Sequence, residues 1–290
     1  MGLLDPLMVE TYSVLTGTTL ELEADADESL LIKRVAEQPA EDILYATLKT
    51  GKTTVGYFYN GAVNANHLEA FSLGMIEGNI LDQMIKKGMM VGYPVAEGEK
   101  FSVSNPHAGT NQVQIFYERY DAGDMVKTMP DGSAPEEYSF VNYGTNDGAM
   151  TANSYGEVDE SRNPTEFPAF PFGADVPAKT EIEIWAFLVL NYDPTGAVAT
   201  TRDEVRFLRL TREREVLWDK SLQGIYLTQG MTQESWGCGR QAPVQKINWL
   251  PEPLVFGPGE ELKVEVSCGA TLIADSELDF AAIMKVRRVA

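Results

Sequence analysis

The chain has 290 residues, of which 44% are hydrophobic, and it carries a formal net charge of −20 at pH 7. This length and apolar content predict one large domain or two smaller domains with buried cores, and they exclude a disordered chain. A surface this acidic repels phosphate backbones, so direct binding of nucleic acid is not expected.

The first residues predict a short amphipathic helix or arm over residues 1–16, ending near Gly17. No basic residue precedes the apolar positions, and Asp5 and Glu10 interrupt them, so a secretory signal peptide is not expected. Elsewhere in the chain, no apolar run approaches the ~20 residues of a membrane-spanning helix.

Segments rich in β-branched and aromatic residues predict strands through the first half of the chain. They cover residues 19–23, 30–35, 43–48, 53–59, 89–95, 100–104 and 112–119. One helix is predicted over residues 79–87, because Asn79 is a suitable N-cap and Gly88 fits the terminating position.

One short segment, Lys49-Thr-Gly-Lys52, resembles the end of a phosphate-binding loop. That motif requires glycine where this chain has Ala46, and it requires a helix after the loop. Residues 53–59 are β-like instead, so the segment predicts a hairpin turn.

An acidic segment rich in proline and glycine separates this half of the chain from the next. Between Asp121 and Ala178 there are eleven acidic residues, two basic residues, six prolines and six glycines. Such a composition disfavours the interior of a sheet, because proline cannot donate a ladder hydrogen bond. Residues 126–178 are therefore predicted as a long loop and connection, whose aromatic residues indicate an ordered segment lying on a surface.

Strand patterns return after Lys179, at residues 180–191, 254–256, 261–266 and 278–286, whereas residues 205–210 and 216–218 fit a strand or a helix. No long helical pattern alternates with these strands, so a doubly wound α/β fold is disfavoured. The predicted segments are an N-terminal arm (1–16), a first β-rich domain (17–125), the acidic connection (126–178) and a second β-rich domain (179–290).

The endings of the two β-rich halves resemble each other. The pattern Gly-Glu-x-apolar-x-Val occurs at residues 98–103 and again at 259–264, and a loop and a more apolar strand follow each copy. A fainter repeat, Gly-Ala-Val, occurs at residues 61–63 and 196–198. The shared order predicts a duplication, and the alternative is that Gly-Glu turns recur by chance in a β-rich chain.

Motifs for catalysis are not found in the sequence. His67 and His107 are the only histidines, so neither a zinc site, nor a Ser-His-Asp site, nor metal chemistry on a cupin-like scaffold has support. The chain is therefore not expected to be an enzyme, and no cofactor or catalytic residue is predicted.

Two acidic loops are the remaining candidates for a metal site. Asp25 and Asp27 lie in one loop, and Asp121 and Asp124 lie in the other. Neither loop has the regular oxygen ligands of an EF-hand, so what is left open is a structural Ca²⁺ or other divalent cation held between separate loops. The alternative is ordinary solvated surface charge.

Basic residues are concentrated in one stretch, which contains Arg202, Arg206, Arg209 and Arg212. Acidic residues interleave with them and nearly cancel their charge, so the stretch does not fit a nucleic-acid site. It predicts either a salt-bridged face or an interface between subunits, where it would meet the acidic middle segment of a neighbouring copy.

The order of an N-terminal arm, two β-rich halves, an irregular join and matching endings at residues 98–119 and 259–287 resembles the double jelly-roll major capsid proteins of the adenovirus-type icosahedral virus lineage. The resemblance implies an all-β fold of two tandem jelly-roll β-sandwiches, with a short N-terminal helix or arm and one inserted helix. It also implies a homotrimer located in the virion capsid. Expected partners are neighbouring capsomers and minor capsid or internal membrane proteins.

Two functional hypotheses follow. The first is a major capsid subunit that assembles with itself into an icosahedral shell, which predicts a stable homotrimer. The alternative is a carbohydrate- or receptor-binding β-sandwich of a virion spike, turret or cell surface, which predicts glycan binding by a monomer or small oligomer. The aromatic residues that would line such a site are Tyr138, Tyr143, Tyr155, Trp236 and Trp249.

Overall fold

The computed structural model describes residues 2–38, 44–60, 80–105, 109–125, 136–162, 165–189, 205–218, 248–268 and 280–289. Within these ranges the chain is almost entirely β, with sixteen strands and one short helix. The chain divides into two compact units, Met1–Phe140 and Val141–Ala290.

The first unit is an eight-stranded jelly roll. Its strands are β1 (Leu3–Val14), β2 (Thr19–Glu23), β3 (Glu28–Gln38), β4 (Leu44–Thr50), β5 (Thr53–Asn60), β6 (Tyr93–Val95), β7 (Lys100–Ser104) and β8 (Asn111–Asp121). They form two antiparallel four-stranded sheets, in the orders β1-β8-β3-β6 and β2-β7-β4-β5. Pairing of the first strand with the last and of the second with the seventh is the jelly-roll arrangement.

The core of the first unit follows the alternation of its strands. In β7, Phe101 and Val103 are buried while the residues between and beside them are half-buried. In β8, the alternate residues Val113, Ile115 and Tyr117 are buried. The same alternation, with a period of two residues, predicted both strands from the sequence.

The predicted helix is present as α1 (Ile80–Lys86), between β5 and β6. It buries Ile80, Leu81 and Met84 and contacts β3, as an amphipathic helix does. Asn79, its predicted N-cap, lies outside the described residues. Among the described residues, no helix has the length and apolar character needed to span a bilayer.

The other eight strands make up the second unit, except that the boundary after Phe140 falls inside the first of them. They are β9 (Glu137–Asn146), β10 (Tyr155–Ser161), β11 (Thr180–Val189), β12 (Val205–Arg212), β13 (Glu215–Trp218), β14 (Asn248–Phe256), β15 (Leu262–Cys268) and β16 (Phe280–Arg288). They form one sheet in the order β13-β12-β15-β10-β9-β16-β11-β14. This sheet is two four-stranded halves, β9-β16-β11-β14 and β10-β15-β12-β13, joined where β9 pairs with β10.

The two units repeat each other strand for strand. Every strand pair of the first unit recurs in the second between the strands eight places further along: β1 with β8 becomes β9 with β16, and β2 with β7 becomes β10 with β15. Two tandem jelly rolls are therefore confirmed, and the duplication predicted from the sequence is confirmed with them.

The turns repeat as well. Four turns of the first unit that contain a residue with positive φ match four such turns of the second unit. The pairs are Gly17 (φ 67°) with Asn153 (φ 60°), Asp27 (φ 67°) with Lys179 (φ 60°), Gly51 (φ 55°) with Glu213 (φ 53°), and Gly98 (φ 72°) with Gly259 (φ 79°). Only the last pair keeps glycine in both units, so the tertiary fold holds ordinary residues in a conformation that glycine adopts more easily.

Backbone hydrogen bonds at the Gly-Glu turns are also shared. In the first unit, Ala24 exchanges two backbone hydrogen bonds with residues 98–99, at 2.9 and 3.0 Å. In the second unit, Val176 exchanges two with residues 259–260, both at 2.9 Å. The stronger repeat seen in the sequence therefore marks equivalent turns, which lead into the equivalent strands β7 and β15.

The fainter Gly-Ala-Val repeat does not mark equivalent positions. Its first copy follows β5 and its second follows β11, and these two strands do not correspond. Residues 61–63 and 196–198 themselves lie outside the described residues. A three-residue match of small side chains is too short to distinguish a repeat from coincidence.

The prediction of a separate helix or arm over residues 1–16 is wrong. Leu3–Val14 form β1, which pairs along its length with β8. The local sequence does not indicate this strand, because Pro6 has no N–H and Asp5 interrupts the apolar positions. Pro6 is tolerated because β1 is an edge strand with β8 as its one neighbour.

The prediction of a loop over residues 126–178 is also wrong in part, because the segment contains β9 and β10. In β10 the acidic residues Asp159 and Glu160 are exposed while Val158 is buried, so the charge lies on the solvent side of a strand. Its aromatic residues are ordered, as predicted, but they lie in the core rather than on a surface. Those that are buried are Phe140, Tyr143, Phe167, Phe170 and Phe172.

Candidate functional site

An acidic surface lies at one end of the first unit, and we call residues 25–28 and 121–124 the acidic corner. Both predicted acidic loops meet there, because the Ala122 N–H donates to the Asp27 carbonyl oxygen at 3.2 Å. Asp25, Asp27 and Asp121 are exposed, whereas Asp124 is half-buried. The structure therefore brings the four predicted carboxylates to one corner of the fold.

One carboxylate of the acidic corner, that of Glu28, is buried and has partners. Arg119 donates its Nε–H to a Glu28 oxygen at 2.6 Å, and it also pairs with Asp5 at 3.0 Å. The other Glu28 oxygen accepts the Asp25 N–H at 3.2 Å. Arg119 is thus engaged by Glu28 and Asp5, and the exposed aspartates of the corner remain a local excess of negative charge.

A divalent cation at the acidic corner stays a prediction. Among the described residues, no three His, Cys, Asp or Glu side chains converge where an ion could be held. The second unit builds the same corner without aspartate, from the same backbone hydrogen bonds. The turn therefore sets the shape of this corner without any need for a bound ion.

The matching surface of the second unit consists of residues 177–180 and 288–289, and we call it the basic corner. The Thr180 N–H donates to the Pro177 carbonyl oxygen at 3.1 Å, which closes the turn. The Val289 N–H donates to the Lys179 carbonyl oxygen at 3.0 Å, as Ala122 does to its partner in the first unit. The two corners therefore share one backbone arrangement.

The two corners carry opposite charge at matching positions. Lys179 stands where the first unit has Asp27, and Arg288 stands where it has Asp121. Both cations are exposed, and in the part of the chain that the structure describes neither forms an ion pair. The acidic residue beside them, Asp175, lies just before the turn and is also exposed. Sequence reasoning missed this corner, because two cations 109 positions apart form no local pattern.

The predicted arginine stretch is used inside the second unit. Arg209 of β12 donates two hydrogen bonds to Glu265 of β15, from Nε at 2.7 Å and from Nη2 at 2.5 Å. Its guanidinium lies 4.0 Å from the centre of the Tyr155 ring, and Lys263 approaches Glu265 at 3.8 Å. The salt-bridge interpretation therefore fits Arg209, although its partner is Glu265 of β15 and not an acidic residue interleaved in the same stretch.

For the other arginines of that stretch, the structure describes the contacts of Arg212 alone. Arg212 donates to the Val255 carbonyl oxygen and lies 4.3 Å from the centre of the Phe256 ring. Arg206 lies in β12, and Arg202 lies outside the described residues. Arg209 and Arg212, whose side chains are described, are half-buried with partners in their own unit, so an interface built on the four arginines stays a prediction.

An exposed apolar strip along β1 was missed by sequence reasoning. Leu3, Leu4, Leu7 and Val9 are 53%, 47%, 54% and 49% exposed, and they lie on the edge strand of a sheet. In the second unit the equivalent strand β9 is buried from its third residue onward. Long edge strands with apolar side chains are binding or aggregation surfaces unless something covers them. The signal was the run of leucines, which lies in the segment predicted as a short amphipathic helix or arm.

A small polar cluster lies on the other face of β1. The hydroxyls of Tyr12 and Tyr117 both donate to the Glu10 carboxylate. Burial raises the pKa of both phenols well above their ordinary value of 10.0, and the hydrogen bonds to Glu10 raise them further. The cluster is structural, since it fastens β1 to β8.

Because their pKa values are raised in the folded state, Tyr12 and Tyr117 stabilise the fold fully below pH 10.0, and this contribution is lost as the pH rises further. We expect two phenols to titrate after the other accessible tyrosines in an ultraviolet titration of the folded chain. In the double variant Tyr12→Phe, Tyr117→Phe this late part of the titration should disappear. An unchanged late part would contradict the assignment.

Among the described residues, the aromatic side chains proposed for a glycan site do not gather on one surface. Tyr143 is buried, and Tyr155 lies under the Arg209 guanidinium. Tyr138 packs edge-on against the ring of Phe140 at 6.5 Å. Trp249 lies in β14, and Trp236 is outside the described residues.

The repeated strand order defines the chain as a tandem jelly-roll protein. No family model matches its sequence, and no curated protein matches it either. Among solved structures, it is similar to a chain from the atomic structure of the Sulfolobus turreted icosahedral virus, with a TM-score of 0.45 and 9% identity, covering 98% of this chain and 91% of that one. It is also similar to the major capsid protein P2 of bacteriophage PM2, with a TM-score of 0.40 and 7% identity, covering 98% of each chain.

Proposed function

We propose that this chain is a major capsid subunit, which assembles with copies of itself into the shell of an icosahedral virion. The observation that carries the proposal is the strand-for-strand repetition of a complete jelly roll within one chain. Single jelly rolls occur in capsids, lectins and cupins, so the fold alone does not define a function. A tandem pair gives each chain two equivalent units, and copies can then pack side by side through nearly equivalent surfaces in a closed ring.

Two surface properties support the proposal. The edge strand β1 exposes leucines, which would contact water in a monomer. Exposed apolar residues on an edge strand are typical of a surface that a partner covers. The net charge of −20 keeps a concentrated protein soluble before it assembles. We extend the proposal to a homotrimer, in which six jelly-roll units surround one axis, and to location in the virion.

The purified chain should therefore form a stable oligomer. By light scattering after size-exclusion chromatography, we expect a mass near three times 32.0 kDa, or larger particles built from that unit. Its interface should bury well over ~2,000 Å², the range of obligate assemblies. Electron microscopy of the larger particles would then show closed shells.

A chain that stays monomeric at every protein and salt concentration would contradict the capsid proposal. Binding of glycans by that monomer on an array would favour the alternative of a carbohydrate-binding protein. Repeating the measurement with a chelator tests the predicted divalent cation, since a fall in mass would assign an ion-binding role to the acidic residues.

A further inference from the structure

We infer that the acidic corner of one copy binds the basic corner of a second copy when the chain assembles. The inference rests on the proposed function and deepens it, because it names the two surfaces that meet. The partner is therefore a second copy of this chain, joined head to tail. Such a contact uses two different surfaces on each copy, and repeating it closes a ring if the rotation allows.

Charge complementarity between matching positions is the first support. Asp27 and Asp121 of the acidic corner correspond to Lys179 and Arg288 of the basic corner, and all four side chains are exposed. Two backbone hydrogen bonds of the acidic corner recur at the matching positions of the basic corner, so neither turn depends on the charge of these side chains. An exposed charge that the fold does not require is available for a partner.

The net charge of the chain makes this pairing selective. Two copies with a charge of −20 repel each other, and contact between two acidic corners would add to that repulsion. Contact between an acidic and a basic corner lowers it, so the head-to-tail arrangement is favoured over a symmetric contact of either corner with itself.

The apolar strip of β1 is the second support, because it continues from the acidic corner. Leu3 is paired in register with Tyr120, the residue before Asp121, so the start of the strip lies beside the corner. Leu3 and Leu4 are 53% and 47% exposed. An apolar area bordered by charge is the usual anatomy of a protein interface, and it distinguishes this corner from isolated surface acid.

The test exchanges charges between the two corners. The variant Lys179→Asp, Arg288→Asp makes both corners acidic, and the variant Asp27→Lys, Asp121→Arg makes both basic. Each substitution introduces the residue that the other unit carries at the same backbone position, so the turns can accept it. A third chain carries all four substitutions, which restores opposite charges with the corners exchanged.

We expect each two-residue variant to weaken association of copies about tenfold at low salt, and we expect the four-residue chain to regain most of the loss. Sedimentation of each full-length chain over a range of concentrations measures this. Added salt should reduce the difference between the chains, since these charges are exposed. For the variant that makes both corners acidic, the matched control is Lys86→Glu, Lys87→Glu, which makes the same change of net charge at exposed residues at the end of α1, outside both corners.

Association that is equally strong in all chains would overturn the inference and leave the proposed capsid function standing. A control variant that weakens association as much as the corner variants would also overturn it, because net charge alone would then explain the effect. A wild-type chain that never associates would overturn both. Because the Asp121 side chain lies against Gly2, Asp27→Lys alone is tested as well, and an unchanged association of that folded variant counts against the inference.

Discussion

Replacing Phe280 with alanine is expected to lower the free energy of unfolding of the second unit by about 4 kcal/mol. Phe280 is fully buried in β16. Its ring lies edge-on to Phe170 at 5.8 Å and tilted against Phe187 at 5.7 Å. Truncation therefore removes the apolar area of one ring, opens a cavity, and leaves two other rings without their neighbour.

Tryptophan fluorescence in urea is a suitable measurement, because it reports on the second unit. All four tryptophans of the chain lie within residues 141–290, at positions 185, 218, 236 and 249. The loss of folding free energy can then be assigned without interference from the first unit.

Two control variants separate the causes. Phe280→Leu keeps most of the apolar volume and removes the ring contacts, so a smaller loss of about 1.5 kcal/mol is expected. Val255→Ala shortens a side chain that is 45% exposed, and a change within about 0.5 kcal/mol is expected. If alanine at position 280 cost no more than the change at Val255, the three rings would not form the core of the second unit.

The aromatic cluster also shows what the sequence could and could not predict. The acidic segment was expected to be ordered because it contains Phe167, Phe170 and Phe172, and that was correct. Composition, however, does not reveal the face on which a side chain lies. The segment around Phe170 is held against β10, because the Phe170 N–H donates to the backbone carbonyl oxygen of Asp159 at 2.7 Å. This contact is set by the tertiary fold.

Strands were predictable where their own residues alternate. Thr19–Glu23 and Lys100–Ser104 were placed with their observed bounds, because apolar residues recur there every second position. Leu3–Val14 was not predicted, because Pro6 interrupts it and its pairing partners in β8 lie far along the chain, as Tyr120 does from Leu3. Intrinsic preference for β structure is weak compared with such pairing.

The candidate surfaces also differ in how far the sequence indicates them. The acidic loops around Asp25 and Asp121 are visible as local runs of charge, and the sequence brought out both. Their meeting at one corner depends on the pairing of β3 with β8, and the basic corner is recognisable as a counterpart only once the two units are compared strand by strand. A local pattern can indicate charged residues, whereas only the fold brings them together.

Replacing Arg209 with alanine is expected to lower the free energy of unfolding of the second unit by about 3 kcal/mol. Glu265 is 8% exposed, and its two carboxylate oxygens accept the hydrogen bonds from Arg209 at 2.7 and 2.5 Å. Without the arginine, a nearly buried carboxylate keeps one cation, Lys263 at 3.8 Å, which also pairs with Glu157 at 2.7 Å. Most of the expected loss is thus the penalty of an undercompensated buried charge, with a smaller part from the lost contact with Tyr155.

An undercompensated buried charge and a simple loss of packing predict different stabilities for a second variant. If buried charge is the cause, Arg209→Met combined with Glu265→Leu should recover most of the loss, because an apolar pair leaves no charge uncompensated. Arg214→Ala, in the exposed turn of the same hairpin, is the matched control, and a change within about 0.5 kcal/mol is expected. A double variant as unstable as Arg209→Ala would show that the pair holds β12 to β15 by its geometry, so the charge explanation would have to be abandoned.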